Sequence, residues 1–141
     1  MNFGNANPQD IMDALCRVTK DERTRYHVTL GKLIEVLEQV PEEIPVRFVG
    51  GGSPDRIDSY RGYYSDLAIS VQYEREVSVK VFLSALRTAL NTRFEGYKGG
   101  QYLMDADTPL WCSEWGEASN KAIIDVSVTD DHVALWLKEI N

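Results

Sequence analysis

Two short stretches of this chain gather the side chains suited to recognising a charged, ring-bearing molecule. They are Asp58-Ser59-Tyr60-Arg61-Gly62-Tyr63-Tyr64-Ser65-Asp66 and Phe94-Glu95-Gly96-Tyr97-Lys98-Gly99-Gly100-Gln101-Tyr102, and together they hold five of the seven tyrosines. Each sets a cation beside glycine: Arg61-Gly62 in one, Lys98-Gly99-Gly100 in the other. Glycine lets backbone N–H groups approach a ligand or turn with positive φ. Tyrosine offers a stacking face and a hydroxyl, and a cation neutralises an oxyanion. On this reading Tyr63, Tyr64, Tyr97 or Tyr102 stacks on a base, Arg61 and Lys98 meet phosphate, and Gly99 and Gly100 donate amides. The competing reading is structural: tyrosines at strand ends pack one face on the core, and glycine beside them is turn punctuation.

The spacing around these residues excludes several chemistries. Gly96-Tyr97-Lys98-Gly99-Gly100 lacks the phosphate-loop spacing and follows a predicted helix instead of opening one. There is no Gly-x-Ser-x-Gly elbow. His27, at a presumed domain entry, and His132, in a predicted turn, read as solvated and stand in no metal-binding spacing. Asp105 and Asp107 resemble a fragment of a calcium loop without its later glycine and glutamate, so turn formation before Pro109 accounts for them. Trp111 and Trp115 flank Cys112 and read as core or interface anchors, with ligand stacking as the alternative. Cys16 and Cys112 read as reduced thiols. No cofactor, metal or catalytic group is called for.

The elements that must position these loops follow from periodicity. Gln9–Val18 reads as an amphipathic helix on an arm, with Asp10 capping it and Ile11, Leu15 and Val18 on one stripe. Lys20–Arg25 is nearly all charged and reads as a solvated connector. Residues 1–26 form this arm, and residues 27–141 a single domain. Thr29 caps a second helix carrying Leu30, Leu33, Ile34 and Leu37; Ser78 caps a third carrying Val79, Phe82, Leu83, Leu86 and Leu90. Val46–Val49 is a brief strand, and Leu67, Ile69, Val71 and Tyr73 alternate in the clearest one. Ile124, Val126 and Val128 pair with Val133, Leu135 and Leu137 across Thr129-Asp130-Asp131-His132 as a hairpin. The expected fold is α+β: an antiparallel sheet packed against two main helices, with the N-terminal helical arm.

The 141 residues suit one domain with a core of its own. A formal charge of −7 disfavours non-specific nucleic-acid binding, while permitting a basic partner or a local cationic pocket. No apolar run is long enough to span a bilayer and no signal peptide opens the chain, so the expectation is a soluble, cytoplasmic protein. The arm's stripe and the three tryptophans suit a homo-oligomer.

The segments Ser59–Ala68 and Phe94–Gly100, with Tyr102, Met104 and Thr108-Pro109-Leu110-Trp111, resemble a group of small proteins encoded by bacteriophages and prophages. The resemblance covers roughly Thr29–Val128 and leaves the arm outside. It implies a non-enzymatic phage protein directed at a host factor in the bacterial cytoplasm. Phage proteins of this size include anti-Thoeris and anti-CBASS sponges, which sequester cyclic nucleotide or cyclic ADP-ribose signals. The leading expectation is therefore a module that binds and sequesters a nucleotide-derived signal. Its candidate ligand-binding residues are Arg61, Gly62, Tyr63, Tyr64, Tyr97, Lys98, Gly99, Gly100, Tyr102, Thr108 and Trp111. Two alternatives stand beside it. One is an acidic protein–protein inhibitor of a CRISPR or restriction enzyme, using charges such as Glu35, Glu38, Glu42, Glu43, Asp130 and Asp131. The other is an enzyme that degrades the signal.

Overall fold

Three helices and nine strands follow one another in a computed structural model that describes residues 7–114 and 117–140, with the backbone alone for residues 19, 21 and 22. The order is α1 (Pro8–Arg23), α2 (Leu30–Leu37), β1 (Pro45–Phe48), β2 (Ser53–Ser59), β3 (Leu67–Gln72), β4 (Val77–Ser78), α3 (Val79–Ala89), β5 (Thr92–Glu95), β6 (Gln101–Met104), β7 (Leu110–Ser113), β8 (Lys121–Val128) and β9 (Val133–Glu139). Seven strands form one sheet in the order β2-β3-β7-β8-β9-β1-β4, and β5 and β6 form a separate hairpin. The class is α+β as expected. The large sheet is mixed, however: β3 runs parallel to β7 and β1 parallel to β9, while its other pairings are antiparallel. No helix among the described residues is long and apolar enough to cross a membrane.

The period of two along β3 divides the core. Leu67 and Ile69 join Leu30, Leu33 and Leu37 of α2 and Phe82 and Leu86 of α3 in the main cluster. Ala68 points to the other side, where it packs with Tyr60, Trp111 and Ala122. The terminal hairpin forms in the expected register, Val128 opposite Val133, with Val133 and Leu135 fully buried. A register shift between Ile123 and Asp125 breaks the expected alternation of Ile124 with Val126: Ile124 packs on the smaller cluster and Val126 on the main one.

Two expectations about the arm are overturned. The cap of α1 is Asn7, whose side chain accepts from the Asp10 amide; Pro8 opens the first turn. Asp10 is thus the capped residue and not the cap. Nor is Lys20–Arg25 a solvated connector. The helix continues to Arg23, Lys20 is 2% exposed, and its Nζ donates to Leu103 O and Thr108 Oγ1, both at 3.0 Å. Further up the helix, Gln9 donates to Gln101 O, and Asp13 pairs with Arg93 at 2.8 Å. That hydrogen bond from the guanidinium holds the Asp13 carboxyl below its usual range.

Past α1, residues 27–31 run beside the start of β7 and the turn before it, with Val28 also reaching β8. The Val28 amide donates to Ile123 O, and Val28 O accepts from the Leu110 amide. Gly31 lies so close to the turn beyond β6 that a Cβ there would stand 2.8 Å from that of Ala106. His27 is consequently buried against expectation, its Nδ1–H donating to Leu110 O at 3.0 Å. Burial depresses its pKa below the ordinary imidazole value.

Candidate functional site

The two tyrosine-rich segments are turns of two different hairpins. Residues 60–66 join β2 to β3, and residues 96–100 join β5 to β6. Local hydrogen bonds fix the first: the Tyr60 amide donates to Asp66 O, the Asp66 amide to Tyr63 O, and Ser59 Oγ to Tyr64 O. The second is a glycine turn. Gly99 and Gly100 hold φ of +94° and +83°, and Gly96 and Gly100 exchange the closing bond, Gly96 N–H to Gly100 O.

These turns touch one another. The Arg61 guanidinium lies 3.8 Å from the centroid of the Tyr97 ring. Tyr64 sets its edge against Tyr102 at 5.8 Å, and Gly96 is packed so closely beneath them that a Cβ would lie 2.8 Å from Tyr102 and 3.3 Å from Tyr64. Arg61, Tyr97 and Lys98 are exposed, with Tyr97 at 63%. Among the described residues, no carboxylate pairs with Arg61 or Lys98.

Behind this face stands a second aromatic group with its polar atoms satisfied. Tyr60 stacks on Trp111 at 4.4 Å with only 6° between the rings, Tyr63 stacks on Trp111 at 5.9 Å, and His27 meets Trp111 edge-on at 4.4 Å. The Trp111 indole N–H donates to Asp66 Oδ2 at 2.9 Å. Asp66 is fully buried and also accepts from Arg23 Nε at 2.6 Å and Nη2 at 2.8 Å, a two-bond fork that fixes the end of α1. Arg23 in turn covers the Tyr63 ring at 4.1 Å. The Tyr60 hydroxyl accepts from the Asn120 amide, and burial raises its pKa.

The eleven candidate residues named from the sequence therefore divide. Arg61, Tyr97 and Lys98 are presented to solvent on one face; Tyr64 and Tyr102 are half-buried beneath it. Tyr63 is 48% exposed, but its ring already carries Arg23 and Trp111. Trp111, 3% exposed, is closed to a ligand. Thr108 is fully buried, with its hydroxyl accepting from Lys20 and from the Asp105 amide. The Gly99 amide is spent on Gly96 O, so it is not aimed at a phosphate. Gly62 serves packing: a Cβ there would stand 2.5 Å from the Tyr60 ring. Gly100 shapes the turn through its backbone conformation.

Other candidates resolve as structural. Asp105 Oδ1 accepts from the Asp107 amide in a local turn, and no cluster of metal-ligating side chains occurs among the described residues. Cys112 lies buried in β7, where desolvation pushes its thiol up to about 11, away from a reactive thiolate. Trp115 lies outside the described residues. Sequence reading missed Arg23, Lys20 and His27 as scaffold residues and gave no role to Asp66. The one signal for Asp66 was a carboxylate abutting the apolar run Leu67-Ala68-Ile69. Compared with known proteins, the chain matches no family model, no curated protein and no solved structure.

Proposed function

We propose that this protein is a non-enzymatic binding module whose Arg61–Tyr97–Lys98 face takes a small anionic, ring-bearing ligand of the nucleotide class. The observation that carries this reading is the Arg61 guanidinium over an exposed Tyr97 ring without a carboxylate partner among the described residues. A guanidinium so placed keeps its in-plane N–H donors for a phosphate, and the tyrosine beside it offers a ring for stacking. Lys98 adds a second positive charge on the adjoining turn. The phage resemblance of the same two turns supports a host signalling nucleotide as the ligand, sequestered in the bacterial cytoplasm as a counter to host defence.

Calorimetric titration with cyclic dinucleotides and ADP-ribose isomers tests this directly. Binding is expected to at least one of them, weakened about tenfold or more by Arg61→Ala or Lys98→Ala with the melting temperature unchanged. Flat titrations across the panel overturn the reading.

A second reading draws on a different place. Glu43, Asp130 and Asp131 line one depression of about 610 Å³ beside Pro41, Pro45 and Val128, so three of the acidic residues scattered in sequence are gathered in space. This favours contact with a basic partner protein. Such a complex is expected to be stoichiometric, to weaken in high salt, and to be lost in Asp130→Lys/Asp131→Lys while nucleotide titrations stay flat.

A further inference from the structure

No described residue of helix α1 belongs to either apolar cluster. The helix instead joins two parts of the molecule. Gln9, Asp13, Lys20 and Arg23 fall within about 80° of one another around it and engage the body in order along its length. Gln9 donates to Gln101 O of β6, Asp13 accepts from Arg93 of β5, and Lys20 donates to Leu103 O of β6. Arg23, in the last turn, then reaches Asp66 at the end of the β2–β3 turn.

Two of these contacts are forks. Arg93 donates through Nη1 and Nη2 to the two oxygens of Asp13, at 3.1 and 2.8 Å, and Arg23 donates through Nε and Nη2 to those of Asp66, at 2.6 and 2.8 Å. A bidentate pair fixes direction as well as distance. Between the forks runs about 15 Å of helix, a length that cannot stretch without breaking backbone hydrogen bonds. The parts so joined lack another device of this kind. The β5–β6 hairpin lies outside the large sheet, so no strand ladder sets its place against the β2–β3 turn. Phe94, Tyr102 and Met104 seat it on the main cluster, but apolar contact is non-directional and leaves it free to pivot.

We propose that α1 is a spacer of fixed length that sets the β5–β6 turn against the β2–β3 turn, with Asp13 and Arg93 as positioning residues for the Arg61–Tyr97 pair. Tyr102 against Tyr64 is the pivot; Arg93, one register step farther from the turn, is the stay. With the stay in place, Tyr97 comes under the Arg61 guanidinium at 3.8 Å. The consequence for ligand binding rests on the Arg61–Tyr97–Lys98 face being the receptor; the spacing of the two turns does not. The outer fork is the one to break. Asp13→Ala leaves behind only Arg93, whose side chain is 38% exposed, whereas loss of Asp66 would strand buried groups.

Proton NMR of the full chain, without ligand, reads the spacing. Protons held over an aromatic ring resonate upfield, so the Arg61 δ-protons should be shifted in the wild type, with Tyr97→Leu giving the unshifted value. Asp13→Ala and Arg93→Ala are each expected to lose about half of that shift or more, with little change in melting temperature. The double variant should lose no more than either single one, since all three break one fork. Arg87→Ala, which breaks the exposed pair with Glu38, should leave the shift intact. In nucleotide titrations Asp13→Ala and Arg93→Ala should weaken binding about threefold or more, because the face is no longer preorganised. A shift unchanged in both single variants, additive losses in the double one, or an equal loss in Arg87→Ala overturns the spacer. Binding that persists undiminished although the shift is lost overturns the positioning role. Flat titrations beside a shift that depends on the fork overturn the receptor and leave the spacer standing.

Discussion

Among the described residues an arginine lies over a tyrosine twice, at 4.1 Å for Arg23 on Tyr63 and 3.8 Å for Arg61 on Tyr97. The pairs use the same chemistry in opposite settings. Arg23 is held by the buried Asp66 carboxylate, and its tyrosine rests on Trp111. Arg61 has no such carboxylate among the described residues, and its tyrosine is largely exposed. In the inner pair the fork of hydrogen bonds to Asp66 ties α1 to the β2–β3 turn. In the outer pair no carboxylate among the described residues occupies the guanidinium, as the proposed ligand face requires. Residue type alone does not tell a strut from a receptor; what the cation is already bound to does.

Removing the acceptor of the inner pair is the strongest test of that contrast. Asp66→Ala strands the Arg23 guanidinium and the Trp111 N–H in a buried site, and the expected loss is about 3–5 kcal/mol of unfolding free energy in urea. A loss no larger than that of an ordinary surface exchange would mean the inner pair holds nothing together.

Acidification loosens the same region more gently. His27 packs on Trp111 with a lowered pKa, so the unfolded chain takes up a proton at a higher pH than the folded one. Above about 6.5 both states are neutral and His27 contributes no pH dependence; as pH falls below that value, stability falls with it. The effect separates from carboxylates such as Asp13, whose lowered pKa gives stability that is lost only below about 3.8. Melting curves at stepped pH should show the decline beginning below 6.5 in the wild type and missing in His27→Phe.

The smallest change is expected at the outer pair. Arg61→Ala should leave unfolding free energy within about 0.5 kcal/mol of wild type. A larger loss would make Arg61 a second strut, and the difference between the two pairs would vanish.

The sequence disclosed the elements whose periodicity is undisturbed. In α2 and α3 the apolar positions recur at helical spacing behind Thr29 and Ser78, both of which do cap. β3 and β9 alternate cleanly, whereas the register shift in β8 sends Ile124 and Val126 to different faces. β2 was hidden because Gly50-Gly51-Gly52-Ser53-Pro54 reads as a break and only Ile57 among Asp55–Asp58 is apolar. β7 was hidden for the opposite reason: its four residues are all buried, so no alternation marks it. Contact between the two tyrosine-rich turns depends on where the β5–β6 hairpin is set against the sheet. No local pattern states that. The arm misled most, because Lys20 and Arg23 look like solvent-facing charges. Their long side chains instead carry the charge inward to Thr108 and Asp66, and local spacing does not show that destination.

The contacts of Gln9 and Lys20 with Gln101 O and Leu103 O have a bearing on solubility. Those two carbonyls face away from β5, along the open side of a short, half-apolar hairpin. Covered by α1, they are withheld from any foreign strand; laid bare, they would offer a template for chain-to-chain stacking into fibrils. The first helix thus acts as a guard against misassembly of the very turn that presents Tyr97, and weakening its grip would show as precipitation on storage.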